Sequence, residues 1–178
     1  MNHITVQETH QKTEALEELN EKYRYSKFYG SGLSTASGGI MFIVSENAGT
    51  PDETTFKSLK CGRTGILSLK YRDQSLSMIN IYMPNDKTQQ KEALIKLRGA
   101  LKNEMKLKES ELVMMGDWNF IEDQLDRSPQ HTDDRGVNRE MVKLKTTFDL
   151  IDGWQRANPS TQRFTWEGTS GNERKKYS

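Results

Sequence analysis

A single cysteine, Cys61, is present among 178 residues, so no internal disulfide can form and the chain reads as intracellular, cytoplasmic or nuclear, not secreted. Long hydrophobic runs are missing as well. The longest are Ile40 to Val44 and Met78 to Met83, the second broken by Asn80, against the ~20 apolar residues that a membrane span needs. The amino end, Met-Asn-His-Ile-Thr-Val-Gln-Glu, lacks the basic and then apolar regions of a secretory signal. Nor is one sign of charge in excess: 26 Lys and Arg face 25 Asp and Glu, a net +1, which excludes a polybasic or acidic tail and makes any nucleic-acid footprint local. Apolar residues are scarce, at 33%, where about 45–50% is usual for a globular domain on a count that includes Gly, and mean hydropathy is −0.85. That shortage raises the expectation of an incomplete domain. The length fits one domain over residues 1–178.

What is present is a mixed pattern of strands and helices. Ile4 to Val6 predicts a short strand running into Gln7-Glu8-Thr9-His10, and Ala15, Leu16 and Leu19 place one apolar stripe on a helix over Lys12 to Tyr25. Gly38-Gly39 opens a strand at Ile40 to Val44. A polar loop follows from Ser45 to about Ser58, then strands Thr64 to Tyr71 and Ser75 to Met83, with a turn at Arg72-Asp73-Gln74. Leu94, Leu97, Leu101 and Met105 recur every three or four residues, predicting a helix over Thr88 to Lys108 with Lys91, Lys96, Lys102, Lys106 and Lys108 on another face. Glu111 to Met115 is a short strand. Val137, Met141, Leu144, Phe148 and Ile151 mark another helix, and Phe164-Thr165-Trp166 one further strand. Helices covering sheet faces are the expected architecture.

The chemistry concentrates at strand ends. In an extended segment alternate side chains face the same way, so Asp117 and Asn119 in Gly116-Asp117-Trp118-Asn119 would stand side by side, suited to a water, a hard cation or a phosphate oxygen. The bland alternative is turn chemistry after a strand. Glu8 is either a ligand or a solvated strand end. Tyr82, before Pro84-Asn85, is either a functional phenol or a packed ring with a wet hydroxyl.

Taken together and in order, Gln7-Glu8-Thr9-His10, Gly38-Gly39-Ile40, Asn80-Ile81-Tyr82-Met83-Pro84-Asn85, Gly116-Asp117-Trp118-Asn119 and Phe164-Thr165-Trp166 resemble the endonuclease/exonuclease/phosphatase superfamily over nearly the whole chain. Leu125-Asp126-Arg127-Ser128, Phe148-Asp149-Leu150-Ile151-Asp152 and Phe164-Thr165-Trp166 before Tyr177-Ser178 are similar to the apurinic-type endonuclease of LINE-like non-LTR retrotransposons. The resemblance implies an α+β fold, the four-layer αββα sandwich of deoxyribonuclease I-like proteins. It implies a Mg²⁺-dependent phosphodiesterase that nicks DNA, with Mn²⁺ as an alternative ion. Glu8 would bind the metal, Tyr82 would contact the scissile phosphate, Asp117 would orient or deprotonate the attacking water, and Asn119 would hold phosphate oxygens. Thr165, Arg127, Arg174, Lys175 and Lys176 would meet DNA.

Against that pattern, Met1 falls inside what should be the second strand, and Ser178 precedes the segments that carry the family's catalytic histidine; His3, His10 and His131 do not match it. The expectation is a domain lacking its first and C-terminal strands, with weak activity or none. Locally, Lys87 to Lys108 holds seven basic and two acidic residues, and Arg156 to Ser178 five and two. The first patch reads as a solvated helix face. The second, near Thr165, is the better DNA candidate. Two other readings stay open: a phosphatase of the same superfamily, and a noncatalytic remnant that at most binds DNA.

Overall fold

The computed structural model describes residues 3–46, 53–71, 73–104, 107, 109–123, 127–128, 134–159, 161, 166–167 and 174–175, with backbone alone at 127–128, 166–167 and 174–175. The element order is β1 (His3–Gln7), α1 (Ala15–Lys22), β2 (Ser26–Ser31), β3 (Ile40–Ser45), β4 (Thr55–Lys60), β5 (Thr64–Tyr71), β6 (Gln74–Tyr82), α2 (Lys87–Lys102), β7 (Glu111–Asp117), β8 (Arg127–Ser128), α3 (Arg135–Phe148), α4 (Gly153–Ala157), β9 (Trp166–Glu167) and β10 (Arg174–Lys175). The class is α+β, as the sequence predicts. Two units divide the chain: Met1–Tyr82 with Ala100–Asp117, and Met83–Gly99 with Trp118–Ser178.

The first unit holds two sheets, ordered β1-β3-β2 and β4-β5-β6-β7. β3 buries every second residue, Ile40, Phe42 and Val44, which is the alternation of a strand with one covered face. β6 buries Met78 through Tyr82 without a break, as a central strand covered on both faces does. Phe42 and Val44 join Leu67, Leu69 and Met78 in the core, with Tyr29, Phe56, Tyr71, Leu76 and Met115 packed around them. β5 and β6 form an antiparallel hairpin through Asp73, whose φ of 65° suits a tight turn. β6 and β7 are parallel, so a crossover must join them, and α2 lies in that connection.

The second unit is built on helices. Val137, Glu140, Met141 and Leu144 form the buried stripe of α3. Asp134 caps the start of α3, accepting from the backbone of Gly136 and Val137, and Asp149 ends it at φ 52°. Asp152 caps α4 through the backbone of Gln155. Trp118, Phe120 and Ile121 are buried just after β7. A small ladder pairs β8, β10 and β9.

Several boundaries differ from the sequence reading. The first helix is Ala15–Lys22, not Lys12 to Tyr25, and the last predicted helix stops at Asp149, leaving Ile151 exposed. α2 ends at Lys102, and Met105, Lys106 and Lys108 lie outside the described residues. β2 is not expected from Ser-Lys-Phe-Tyr-Gly-Ser, and β4 occupies the end of the segment read as a polar loop. Both are edge strands, and edges carry the polar residues that hide a strand pattern.

Candidate active site

Three strand ends in the first unit bring the predicted acidic and phenolic groups together. β6 and β7 run in register with Ile81 opposite Gly116 and Tyr82 opposite Asp117. Gly116 has φ 142°, and a Cβ there would collide with the Ile81 carbonyl oxygen, so glycine is what allows this approach. The consequence is that Asp117 emerges beside Tyr82.

Glu8 arrives from the other sheet. Beneath it, the fully buried Asn80 of β6 donates Nδ2 to the carbonyls of Val6 and Met41, each at 3.1 Å, and accepts from Gln7 Nε2 at 2.5 Å. One amide thus ties β6 to β1 and β3, two residues short of Tyr82 on one strand and of Glu8 on the other. Glu8 leaves the ladder at φ 51°, and the following segment rests on Gly38 and Gly39, where Thr9 N–H meets the Gly39 carbonyl at 3.3 Å and His10 N–H the Gly38 carbonyl at 3.0 Å.

The Tyr82 hydroxyl donates to Glu8 Oε1, and the Arg63 guanidinium lies 4.4 Å from the centroid of the Tyr82 ring. Main chain locks this pair, because Tyr82 N–H donates to the Arg63 carbonyl at 2.7 Å. Burial raises the pKa of the Tyr82 hydroxyl above its ordinary value. Its hydrogen bond to Glu8 and the charges of Glu8 and Asp117 add to the rise, while Arg63 opposes it. Tyr82 is therefore a neutral phenol at physiological pH, a donor flanked by two carboxylates and a cation.

Asn119 belongs to the second unit. β7 ends at Asp117 and Asn119 has φ 52°, so the strand alternation that would set Asp117 and Asn119 side by side does not extend to Asn119. The Asn119 amide Nδ2 donates to the Met83 carbonyl at 2.8 Å, and the Asn119 carbonyl accepts from Gln90 Nε2 at 2.9 Å.

Of the predicted DNA contacts, Thr165 and Lys176 lie outside the described residues, as does His131. Arg127 on β8 is the register partner of Lys175 on β10, and Arg174 follows one step along that ladder. Arg127 thus shares one small sheet with the neighbouring pair Arg174 and Lys175, far along the chain from it. Lys96 pairs with Glu92 at 3.4 Å on an exposed helix face, as expected of a solvated patch. Sequence reasoning missed Arg63, Gln90 and the bracketing role of Asn80. Asn80 carried a signal, a buried amide in an otherwise apolar strand; Arg63 and Gln90 carried none.

No three His, Cys, Asp or Glu side chains gather into a metal-binding group among the described residues, and no helix there is long and apolar enough to cross a membrane.

No family model matches the sequence. An AP endonuclease from Archaeoglobus fulgidus superposes with a TM-score of 0.69 at 18% identity, covering 94% of this chain and 68% of that one. A 3′ phosphatase, NExo from Neisseria, bound to a product DNA hairpin, gives 0.68 at 14%, covering 96% and 69%. The endonuclease domain of TRAS1, a telomere-specific non-LTR retrotransposon, gives 0.50 at 15%, covering 70% and 54%. The fold is that of the AP endonucleases, exonucleases and phosphatases, deoxyribonuclease I-like, in agreement with the resemblance read from the motifs. Among curated proteins the chain is similar to the uncharacterized 149 kDa protein of transposon TX1 from Xenopus laevis, 26% identical over 163 residues. That match covers 90% of this chain and 12% of the transposon protein.

Proposed function

We propose that this chain is a divalent-metal-dependent phosphodiesterase that nicks DNA, of retrotransposon type. The observation that carries the reading is the grouping of Glu8, Tyr82 and Asp117 at the ends of β1, β6 and β7, with Arg63 on the phenol ring. The carboxylates of Glu8 and Asp117 fit a hard cation. With no third carboxylate, His or Cys gathered there among the described residues, water and phosphate oxygens would complete the shell, as magnesium prefers. Glu8 would hold the ion, Mg²⁺ or Mn²⁺, which supplies charge neutralisation at the phosphoryl group.

The chain's own residues divide the remaining work. Tyr82, kept protonated by burial and by Glu8, has a single O–H, which would turn from Glu8 to a phosphate oxygen once the Glu8 carboxylate is engaged by the cation. Arg63 supplies a fixed positive charge beside that phenol, suited to the anionic ester. Asp117 accepts a proton from the attacking water, and Asn119 donates its amide to a phosphate oxygen. Arg127, Arg174 and Lys175, with Thr165 and Lys176, hold the DNA backbone.

The test is conversion of supercoiled plasmid to the nicked form with Mg²⁺ and with EDTA. Mg²⁺-dependent nicking that Tyr82→Phe and Glu8→Gln depress supports the reading; release of free phosphate from a 3′-phosphorylated strand without nicking would replace it with a phosphatase. DNA binding without turnover would leave a noncatalytic module. Replacing Arg127 and Lys175 by Gln should reduce the slope of log affinity on log salt by about 0.9 for each phosphate that is no longer neutralised.

A further inference from the structure

Gln90 lies in the first turns of α2 with no exposed surface. Both hydrogens of its amide are used, Nε2 donating to the Pro84 carbonyl at 2.8 Å and to the Asn119 carbonyl at 2.9 Å. Asn119 closes the ring by donating Nδ2 to the Met83 carbonyl. Two segments that follow strands, Met83-Pro84 and Asn119, are therefore joined by three bonds from two side-chain amides.

Helix formation does not account for this amide. Asp86 already starts α2, its carboxylate accepting from Gln89 N–H at 2.9 Å and its carbonyl from Gln90 N–H at 2.9 Å. Packing does not account for it either. Gln90 Oε1 is buried with no hydrogen-bond partner among the described residues, a net cost that a methionine of similar shape would avoid. The donors are what the position supplies. Their target, Asn119, has a left-handed backbone at φ 52° between two buried aromatics, Trp118 and Phe120, whose rings meet edge to face at 6.1 Å. Aromatic anchors on both sides and an amide on its carbonyl leave the Asn119 side chain little choice of direction.

We infer that Gln90 is the positioning residue of Asn119, setting the direction of the amide that meets phosphate; the inference rests on the phosphodiesterase reading. Gln90 touches no substrate and acts only through Asn119.

The experiment is a double-mutant cycle on the 178-residue chain with supercoiled plasmid and Mg²⁺. Gln90→Met removes both donors at nearly constant volume, and kcat should fall about 10- to 100-fold with KM little changed, as expected when a reacting group is misplaced by a fraction of its bond reach. Combined with Asn119→Ala, it should cost nothing further, because both changes remove one function. An unchanged kcat for Gln90→Met, or losses that multiply in the double variant, overturns the proposal. Should Gln90→Met fail to melt cooperatively, Gln90→His keeps one donor and must fall between wild type and Asn119→Ala in kcat. Absence of wild-type nicking would overturn the nuclease reading and the catalytic half of this one. The clamp itself is judged separately by hydrogen exchange of the Gln90 and Asn119 side-chain amides: protection supports it and rapid exchange overturns it.

Discussion

In the unit formed by Met1–Tyr82 and Ala100–Asp117, polar groups are aimed mainly by strand register, with Asn80 as a side-chain tie; in the unit formed by Met83–Gly99 and Trp118–Ser178 they are aimed by other side chains. Tyr82 and Asp117 stand together because β6 and β7 share a register, and Glu8 joins them because β1 is fastened through Asn80. Asn119 is held by amide bonds instead, and α3 is held to α2 by one ion pair: Glu140 of α3, itself buried, receives Arg98 of α2 at 2.8 Å, and also Lys143 from one turn along α3 at 2.6 Å. A ladder distributes its constraint over many bonds, whereas a side-chain clamp concentrates it in one or two. Substitutions in the two units should therefore fail in different ways.

The largest expected effect is on turnover. Asp117→Asn keeps the shape of the side chain and removes its basicity, so plasmid nicking should fall about 10²- to 10⁴-fold while the melting temperature barely moves. A large loss of stability instead would mean that Asp117 serves the fold. Asn80→Ala should act in the opposite sense. It strands the Val6 and Met41 carbonyls and the Gln7 amide, at a cost of at least about 1–3 kcal/mol by urea denaturation, and weakens activity through the loosened β1.

Glu140 sharpens the comparison through pH. The bonds from Lys143 and then Arg98 hold its carboxyl below the ordinary value of 4.5, so the folded state binds a proton less readily than the unfolded chain. Its stabilisation is complete above that value and is lost as pH falls below it. Glu140→Gln should flatten the acid limb of the melting curve in that window without altering the slope near neutrality. The smallest effect belongs to Asp134→Ala, which removes the cap of α3 and should cost about 1 kcal/mol in thermal melts, with nicking unchanged.

How much could be read from the sequence follows the same division. Glu8, Tyr82 and Asp117 sit in short motifs at strand ends whose order along the chain carries the superfamily resemblance, and that resemblance is what made their meeting legible. Arg63 and Gln90 gain meaning only from a ring stacked 4.4 Å away and from a carbonyl 29 residues along the chain. Of the strands missed, β2 and β4 are edge strands: β4 exposes every residue of Thr-Phe-Lys-Ser-Leu-Lys except the half-covered Phe56 and Leu59, too polar to stand out, while β8 and β10 are only two residues long. The expected alternation of Asp117 and Asn119 failed because a strand period was carried past the last strand residue. Helix ends were misplaced where caps, not apolar spacing, decide them, as at Asp149.

Gly116 bears on folding fidelity. A parallel pair such as β6 and β7 could slide by one step, and each step turns every side chain to the opposite face. In the observed register a Cβ at position 116 would collide with the Ile81 carbonyl oxygen, and β7 contains one glycine, so a slip of one step would bring a side chain to that close approach. Molecules that pair wrongly meet a steric block at the point where Asp117 would be misdirected. Correct pairing of the strands and correct aim of the Asp117 carboxylate thus depend on the same missing Cβ.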